Sequence, residues 1–155
     1  MAERMKATIA VFTYLVDPAD RVYLQRRYQT GYLDGQYEAP AGKIDADEFP
    51  RQAACRETLE EAGVVVDPDS LELFHTYMNV SNRRPWMGLM FRTRAWEGSP
   101  SIQEPHKCDD AGFFSLDNLP NGTPQVMDGL ARLLVAPSID ISVYDDIATV
   151  PGPEA

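Results

Sequence analysis

Hydrophobic positions along this chain fall in short runs, and the period of the runs changes along its length. Residues 7–16 (ATIAVFTYLV) are apolar, β-branched and aromatic almost throughout, the pattern of a buried strand. Asp17-Pro18-Ala19-Asp20 is turn chemistry, and residues 21–27 (RVYLQRR) then alternate faces as a second strand. Residues 30–35 (TGYLDG) read as a loop. Residues 37–44 (YEAPAGKI) are extended but broken at Pro40 and Gly42, so any strand there is short. From Pro50 to Ala62 nothing breaks a helix, Pro50 suits a first helical position, and Gly63 suits the stop. Phe49 is a poor N-cap, which leaves the start loosely specified. Val64-Val65-Val66 opens the next strand, and residues 71–80, 87–96 and 112–115 are further strands separated by SNRRP and EGSPSIQEP. Residues 123–135 (TPQVMDGLARLLV) are a second amphipathic helix. Strands, a helix, more strands and a final helix make a mixed α/β or α+β domain.

Composition narrows this picture. A length of 155 residues, 44% apolar and 25% charged, fits one soluble domain with a real core. No apolar run approaches the ~18 residues of a membrane span, and the N-terminus lacks a signal-peptide core, so a cytoplasmic protein without a membrane partner is expected. Cys55 and Cys108 give neither a disulfide framework nor a CxxC metal spacing. The net charge of −10 argues against a nucleic-acid polymer as partner, since such polymers are held by bulk attraction to phosphates. A small phosphorylated ligand remains possible if something cationic stands between it and the carboxylates. The excess is uneven: residues 42–63 carry three basic and six acidic side chains, while the tail from Ala136 carries four acids and no base.

The block at 42–63 carries the chemistry. On a wheel at ~100° per residue with Glu57 at zero, Glu61 lies near 40°, Glu60 near 300° and Arg56 near 260°. Thr58, Ala62, Cys55 and Leu59 fall between roughly 100° and 200°, which predicts that they pack inward and the acids do not. Three carboxylates on one arc repel, and glutamates near a helix C-terminus oppose the macrodipole. A divalent cation would reverse both penalties, and oxygen-only ligands point to Mg²⁺ or Mn²⁺. The plain alternative is a solvated acidic face.

The wider spacing separates these readings. Residues 42–64 run GKIDADEFPRQAACRETLEEAGV, or G-x5-E-x7-R-E-x2-E-E-x-G and an aliphatic residue. This resembles the Nudix hydrolase signature, which departs here only at Thr58, where an aliphatic residue is usual. Seven fixed positions at about one in fifteen each arise by chance about once in 10⁶ chains of this length. The resemblance implies a Nudix fold, a mixed β-sheet between α-helices, with residues 1–135 as the domain and 136–155 as an acidic tail.

It also implies roles. Glu57, Glu60, Glu61 and the Gly42 carbonyl would bind the metal, one of the glutamates, Glu57 by preference, could instead act as the catalytic base, and Arg56 would hold a glutamate in place. Glu48 would brace the loop or reach the metal through water. Outside the box, LQRRYQTGYLDGQYEAPAGKID is similar to the lead-in of MutT-like members, and EPHKCDDAGFFSLDNLP to a segment of a nucleotide-hydrolysing subgroup. Arg26 or Arg27 could contact phosphate, though alternation allows at most one to face the site. Tyr37, Phe113 and Glu104 are further substrate-side candidates, with strand or core packing the alternative for Tyr37 and Phe113. Lys107 stands where many relatives carry a loop glutamate, which questions a four-glutamate site. His106 and Cys108 read as structural, Asn79 and Trp86 as possible base-pocket residues, and Arg83 and Arg84 as a solvated loop.

The expected activity is Mg²⁺-dependent hydrolysis of a nucleoside triphosphate, such as the oxidised purine nucleotide 8-oxo-dGTP, to monophosphate and pyrophosphate. The alternatives are an ADP-ribose, nucleotide-sugar or dinucleotide pyrophosphatase, and a non-catalytic nucleotide-sensing module. The partner is a small nucleotide, and a homodimer is an admissible assembly.

Overall fold

The computed structural model describes residues 2–80, 85–122 and, for the backbone alone, 141–144. The expected helix over 123–135 and the loop arginines 83 and 84 lie outside the described residues. The elements are β1 (Thr8–Leu15), β2 (Arg21–Arg27), β3 (Tyr37–Glu38), β4 (Ala41–Lys43), α1 (Pro50–Ala62), β5 (Glu72–Asn79), β6 (Trp86–Thr93), β7 (Cys108–Ser115) and β8 (Ile141–Tyr144). Five strands form one sheet in the order β4-β1-β6-β5-β8, and three form a second in the order β3-β2-β7. The larger sheet is mixed: β1 runs parallel to β6 and antiparallel to β4, while β8 lies parallel to β5 at the edge. Four residues of the acidic tail are therefore part of the sheet.

β1 lies inside the larger sheet between β4 and β6, and its two faces serve two cores. Ala10, Phe12, Tyr14 and Val16 pack between the sheets with Val22, Leu24, Phe74 and Met90. Val11 and Leu15 meet α1 through Ala53, Ala54 and Ala62, together with Tyr23 and Phe91. A strand buried on both sides has to be apolar at every position, which is why this run shows no alternation. Thr13 and Thr58 are the polar members of the helix side. Each donates its hydroxyl to the Ala54 carbonyl, so Thr58 fills an aliphatic position without an unmet donor.

The helix begins at Pro50 despite Phe49, because the Gln52 side chain accepts the Phe49 N–H at 3.1 Å. It ends where Gly63 turns left-handed at φ 70° and donates to the Leu59 carbonyl. Several expected boundaries move. Val64–Val66 is not a strand: only Val65 is bridged, to Glu97, and Gly98 and Pro100 end that partner. Gly42 lies within β4, opposite Val11. β6 stops at Thr93, where the Thr93 hydroxyl pairs with the Ala95 backbone. β7 starts four residues before Gly112, since its polar first half pairs with Gln25–Arg27.

The largest correction concerns the sides of α1. Its buried residues are Ala53, Ala54, Thr58 and Ala62. On the same wheel these span about 320° through 140°, an arc that contains Glu57 and Glu61. Leu59, expected inside, is half exposed. The glutamates thus share the face that packs on the protein.

Candidate active site

A cavity of about 440 Å³ opens where α1, β4, the end of β2 and the turn before β7 meet. Glu57 and Glu61 line it from the helix, with Glu38, Asp45 and Glu104 from three other segments. Arg26, Arg27, Lys43 and Lys107 bring cations, and Ala10, Phe12, Ala39 and Ala41 give an apolar wall. Acid, base and apolar surface therefore converge in one concave space.

Arg56 organises the helix side. Its Nε and Nη2 donate to the two oxygens of Glu48 at 2.8 and 3.0 Å, Nη1 donates to Glu57 at 2.6 Å, and Nη2 also reaches the Lys43 carbonyl at 3.1 Å. One planar fork thus ties the helix to β4 and to the loop before α1. Glu48 accepts the Asp45 N–H as well, so it braces that loop and does not line the cavity. Arg56 holds the Glu48 carboxyl below the ordinary carboxylate range.

Gly42 has no room for a side chain. A Cβ there would stand 2.0 Å from Cδ of Glu57 and 2.1 Å from its Oε1. The carboxylate is laid against bare backbone, and burial raises the Glu57 pKa even though Arg56 opposes the shift. Glu61 is more extreme. Burial pushes its carboxyl up to about 8, with the neighbouring charges of Glu38, Glu57 and Glu104 adding to the effect. The Ala41 N–H, at 3.0 Å, opposes it.

The remaining expected site residues divide. Glu60 does not line the cavity; its side chain is 56% exposed, 3.6 Å from Arg56. Helical geometry turns it about 60° away from Glu57, over the rim. Both Arg26 and Arg27 line the cavity, and a bulge in the β2–β7 pairing falls between them. Their side chains still part as alternation requires. Arg27 turns to Glu38 at 2.9 Å, Thr30 Oγ1 and the Tyr32 carbonyl. Arg26 turns to Asp109 through two bonds and stacks over Tyr37.

Tyr37 and Phe113 do not reach the cavity. Tyr37 is buried against Phe114 with its hydroxyl bonded to Asp110. Phe113 packs on Tyr23 and Trp96. Both are consumed by strand packing, because each sits opposite a β2 residue in the register. Glu104 is at the cavity and pairs with Lys107 at 2.9 Å. His106 is exposed, and Asn79 and Trp86 are buried in the sheet away from the cavity lining. Cys108 lines the cavity as a free thiol donating to the Asp110 carbonyl, with its pKa raised by burial.

Five polar or charged contributors escaped the sequence reading: Gln25, Thr30, Glu38, Lys43 and Asp45. Glu38 and Gln25 are paired across β3 and β2, which only the register reveals. Thr30 is placed by Asp34, which accepts the Thr30 and Gly31 N–H groups and the Thr30 hydroxyl. The TGYLD spacing of an Asx-type loop was the available signal. Among the described residues, no three metal-ligating side chains converge as they stand. The carboxylates at the cavity outnumber its one thiol, Cys108, and two of them carry a desolvation cost that a cation would relieve.

Paired carboxylates on a helix, cations from neighbouring segments and an apolar wall line one cavity, a lining suited to a phosphorylated ligand and a cation. A family model for the NUDIX domain matches residues 6–134, and the chain belongs to that family. It is a MutT-like Nudix hydrolase. The 8-oxo-dGTP diphosphatase of Escherichia coli (strain K12) is 29% identical over 119 residues, 74% of this chain and 88% of that protein. The MutT NUDIX hydrolase of Burkholderia pseudomallei shares the fold with a TM-score of 0.75 at 24% identity, covering 83% of this chain and 99% of that one. The MutT protein of Bacillus halodurans does so at 0.70 and 22%, covering 88% of each. No described helix is long and apolar enough to cross a membrane.

Proposed function

We propose that this enzyme hydrolyses a nucleoside triphosphate to the monophosphate and pyrophosphate with Mg²⁺ or Mn²⁺, an oxidised purine nucleotide such as 8-oxo-dGTP being the first substrate to test. The observation that carries this reading is the half-buried Glu57–Glu61 pair of α1, which lines one cavity together with Arg27 and Lys107. The choice of 8-oxo-dGTP draws on the bacterial relative of that name.

Glu57, Glu61 and the Gly42 carbonyl would hold the divalent ion, which when bound supplies neutralisation of phosphate oxygens and acidifies a water. Arg56 fixes the Glu57 rotamer, so this carboxylate is in place before substrate arrives. With the ion held by Glu61 and the Gly42 carbonyl, Glu57 would instead take the proton from the attacking water, a role its fixed place on the cavity wall allows. Glu60, at the rim, acts through Arg56. Arg27, which lines the cavity and is steadied by Glu38, would meet the phosphates with its guanidinium. Phe12 and the alanines exclude water on the nucleoside side.

The test is a panel of nucleoside triphosphates, nucleotide sugars and dinucleoside polyphosphates, each with Mg²⁺ or with chelator and with products separated chromatographically. Monophosphate and pyrophosphate from a triphosphate, only with the metal, is the expected result. Turnover confined to nucleotide sugars overturns the substrate. Metal-induced stabilisation without turnover of any nucleotide favours the sensing module.

A further inference from the structure

The four cations of the cavity are held in different ways. Arg26 is committed to Asp109 by two bonds, and Arg27 is shared among Glu38, Thr30 and Tyr32. Lys43 sits beside Gly42 on β4, where its own carbonyl is taken by Arg56. Lys107 comes from a separate segment, the turn leading into β7. There its ammonium donates to Oε1 of Glu104 at 2.9 Å, and both residues line the cavity.

The backbone under this pair is firmly set. The Glu104 carbonyl accepts the N–H groups of Lys107 and Cys108 at 2.9 and 3.0 Å, and the Lys107 carbonyl accepts the Tyr28 N–H at 2.8 Å. The side chains above it are not. Lys107 is 54% exposed and Glu104 30%, and an exposed pair three residues apart is a weak interaction between flexible groups. The Lys107 side chain is also more exposed than that of Arg26 at 38% or Arg27 at 17%, so redirecting its ammonium gives up less burial. It also has a consequence of its own, because the partner it leaves is a cavity carboxylate whose charge reaches Glu61.

We propose that Lys107 is a phosphate-binding residue that neutralises Glu104 in the empty cavity and passes to the substrate's phosphates on binding, leaving the Glu104 carboxylate to the divalent ion. The proposal rests on the hydrolytic reading above and assigns to one residue two opposed effects. Without nucleotide, Lys107 weakens metal binding by occupying a carboxylate. With nucleotide, it strengthens substrate binding and the same carboxylate becomes available. An acidic cavity thereby avoids holding its full negative charge until the anionic substrate and its metal are both present.

The test uses the full chain with MgCl₂ alone, by titration calorimetry at low ionic strength, and then with a nucleoside triphosphate. Lys107→Met should bind Mg²⁺ about threefold to tenfold more tightly than wild type, because one more carboxylate is uncompensated. The double variant Lys107→Met/Glu104→Gln should lose that gain. With substrate, Lys107→Met should raise KM about tenfold while kcat falls less than about threefold, and Lys107→Arg should restore most of KM. If Lys107→Met fails to fold, Glu104→Gln reads the same coupling: Mg²⁺ affinity without nucleotide stays within about twofold of wild type, since that carboxylate is already neutralised, while the Mg²⁺ concentration needed for half-maximal turnover at saturating nucleotide rises at least about threefold. Unchanged Mg²⁺ affinity in Lys107→Met, a gain that persists in the double variant, or an unchanged KM overturns the proposal. A wild type that turns over no nucleotide refutes the hydrolytic reading instead, and the Mg²⁺ arm still judges the pair.

Discussion

Replacing Glu61 by glutamine separates the metal-holding role of this residue from its effect on the fold. In the folded, metal-free chain the Glu61 carboxyl keeps its proton up to about 8, against an ordinary value of 4.5. Between these limits the folded state holds a proton that the unfolded state has released. Stability contributed by the protonated carboxyl is therefore full below about pH 4.5 and declines as pH rises toward 8. The whole displacement corresponds to at most ~5 kcal/mol. The residue lines a cavity that water enters, which reduces this to a working figure of about 2 kcal/mol. Glutamine keeps the acceptor for the Ala41 N–H and carries no charge at any of these pH values. In EDTA near pH 8.5, Glu61→Gln should then melt about 4–8 °C above wild type, and the two should converge near pH 5. Mg²⁺ should raise the wild-type melting point and leave the variant nearly unmoved, with kcat lower by at least about a hundredfold. Differential scanning fluorimetry across pH, with and without Mg²⁺, reads all of these except turnover. A variant no more stable than wild type near pH 8.5 in EDTA would refute the argument that burial of this charge strains the fold. An Mg²⁺ shift retained in full would remove Glu61 from the metal site.

Three other outcomes follow from particular contacts. Gly42→Ala places a Cβ 2.0 Å from the Glu57 carboxyl carbon, so it should cost about 1–3 kcal/mol in denaturant unfolding and lower kcat at least tenfold by displacing that carboxylate. Arg27→Ala should raise KM more than Arg26→Ala does, since only Arg27 turns its guanidinium to a cavity carboxylate; equal effects in steady-state kinetics would contradict that assignment. Arg56→Met removes the cation that holds Glu48 low, so the Glu48 carboxyl should titrate higher by NMR, and kcat should fall at least tenfold as Glu57 loses its anchor.

What could be read from residues alone was local in origin. The apolar run of β1, the Pro50-to-Gly63 helix and the box from Gly42 to Val64 each depend on spacing within a few turns of chain. The box also named Glu57, Glu61 and Gly42, which the fold brings to one cavity. Less visible was anything set by pairing between distant segments. Glu38 meets Gln25 across two strands, and Tyr37 and Phe113 are claimed by packing that no local pattern announces.

The helix shows the division most clearly. Periodicity placed three glutamates on one arc and assigned the opposite side to the core. The fold instead half-buries Glu57 and Glu61 on the side of the buried alanines and leaves Glu60 and Leu59 toward solvent. A hydrophobic pattern ranks faces by what water would reject, and on that scale a glutamate face is the outer one. Only tertiary structure supplies what overrides the ranking: the Gly42 backbone, the Ala41 N–H twenty residues upstream and the Arg56 fork. Spacing along the chain thus determined which carboxylates act together, while contacts across it decided which of them enter the cavity, because burying a charge requires partners that lie elsewhere in the chain.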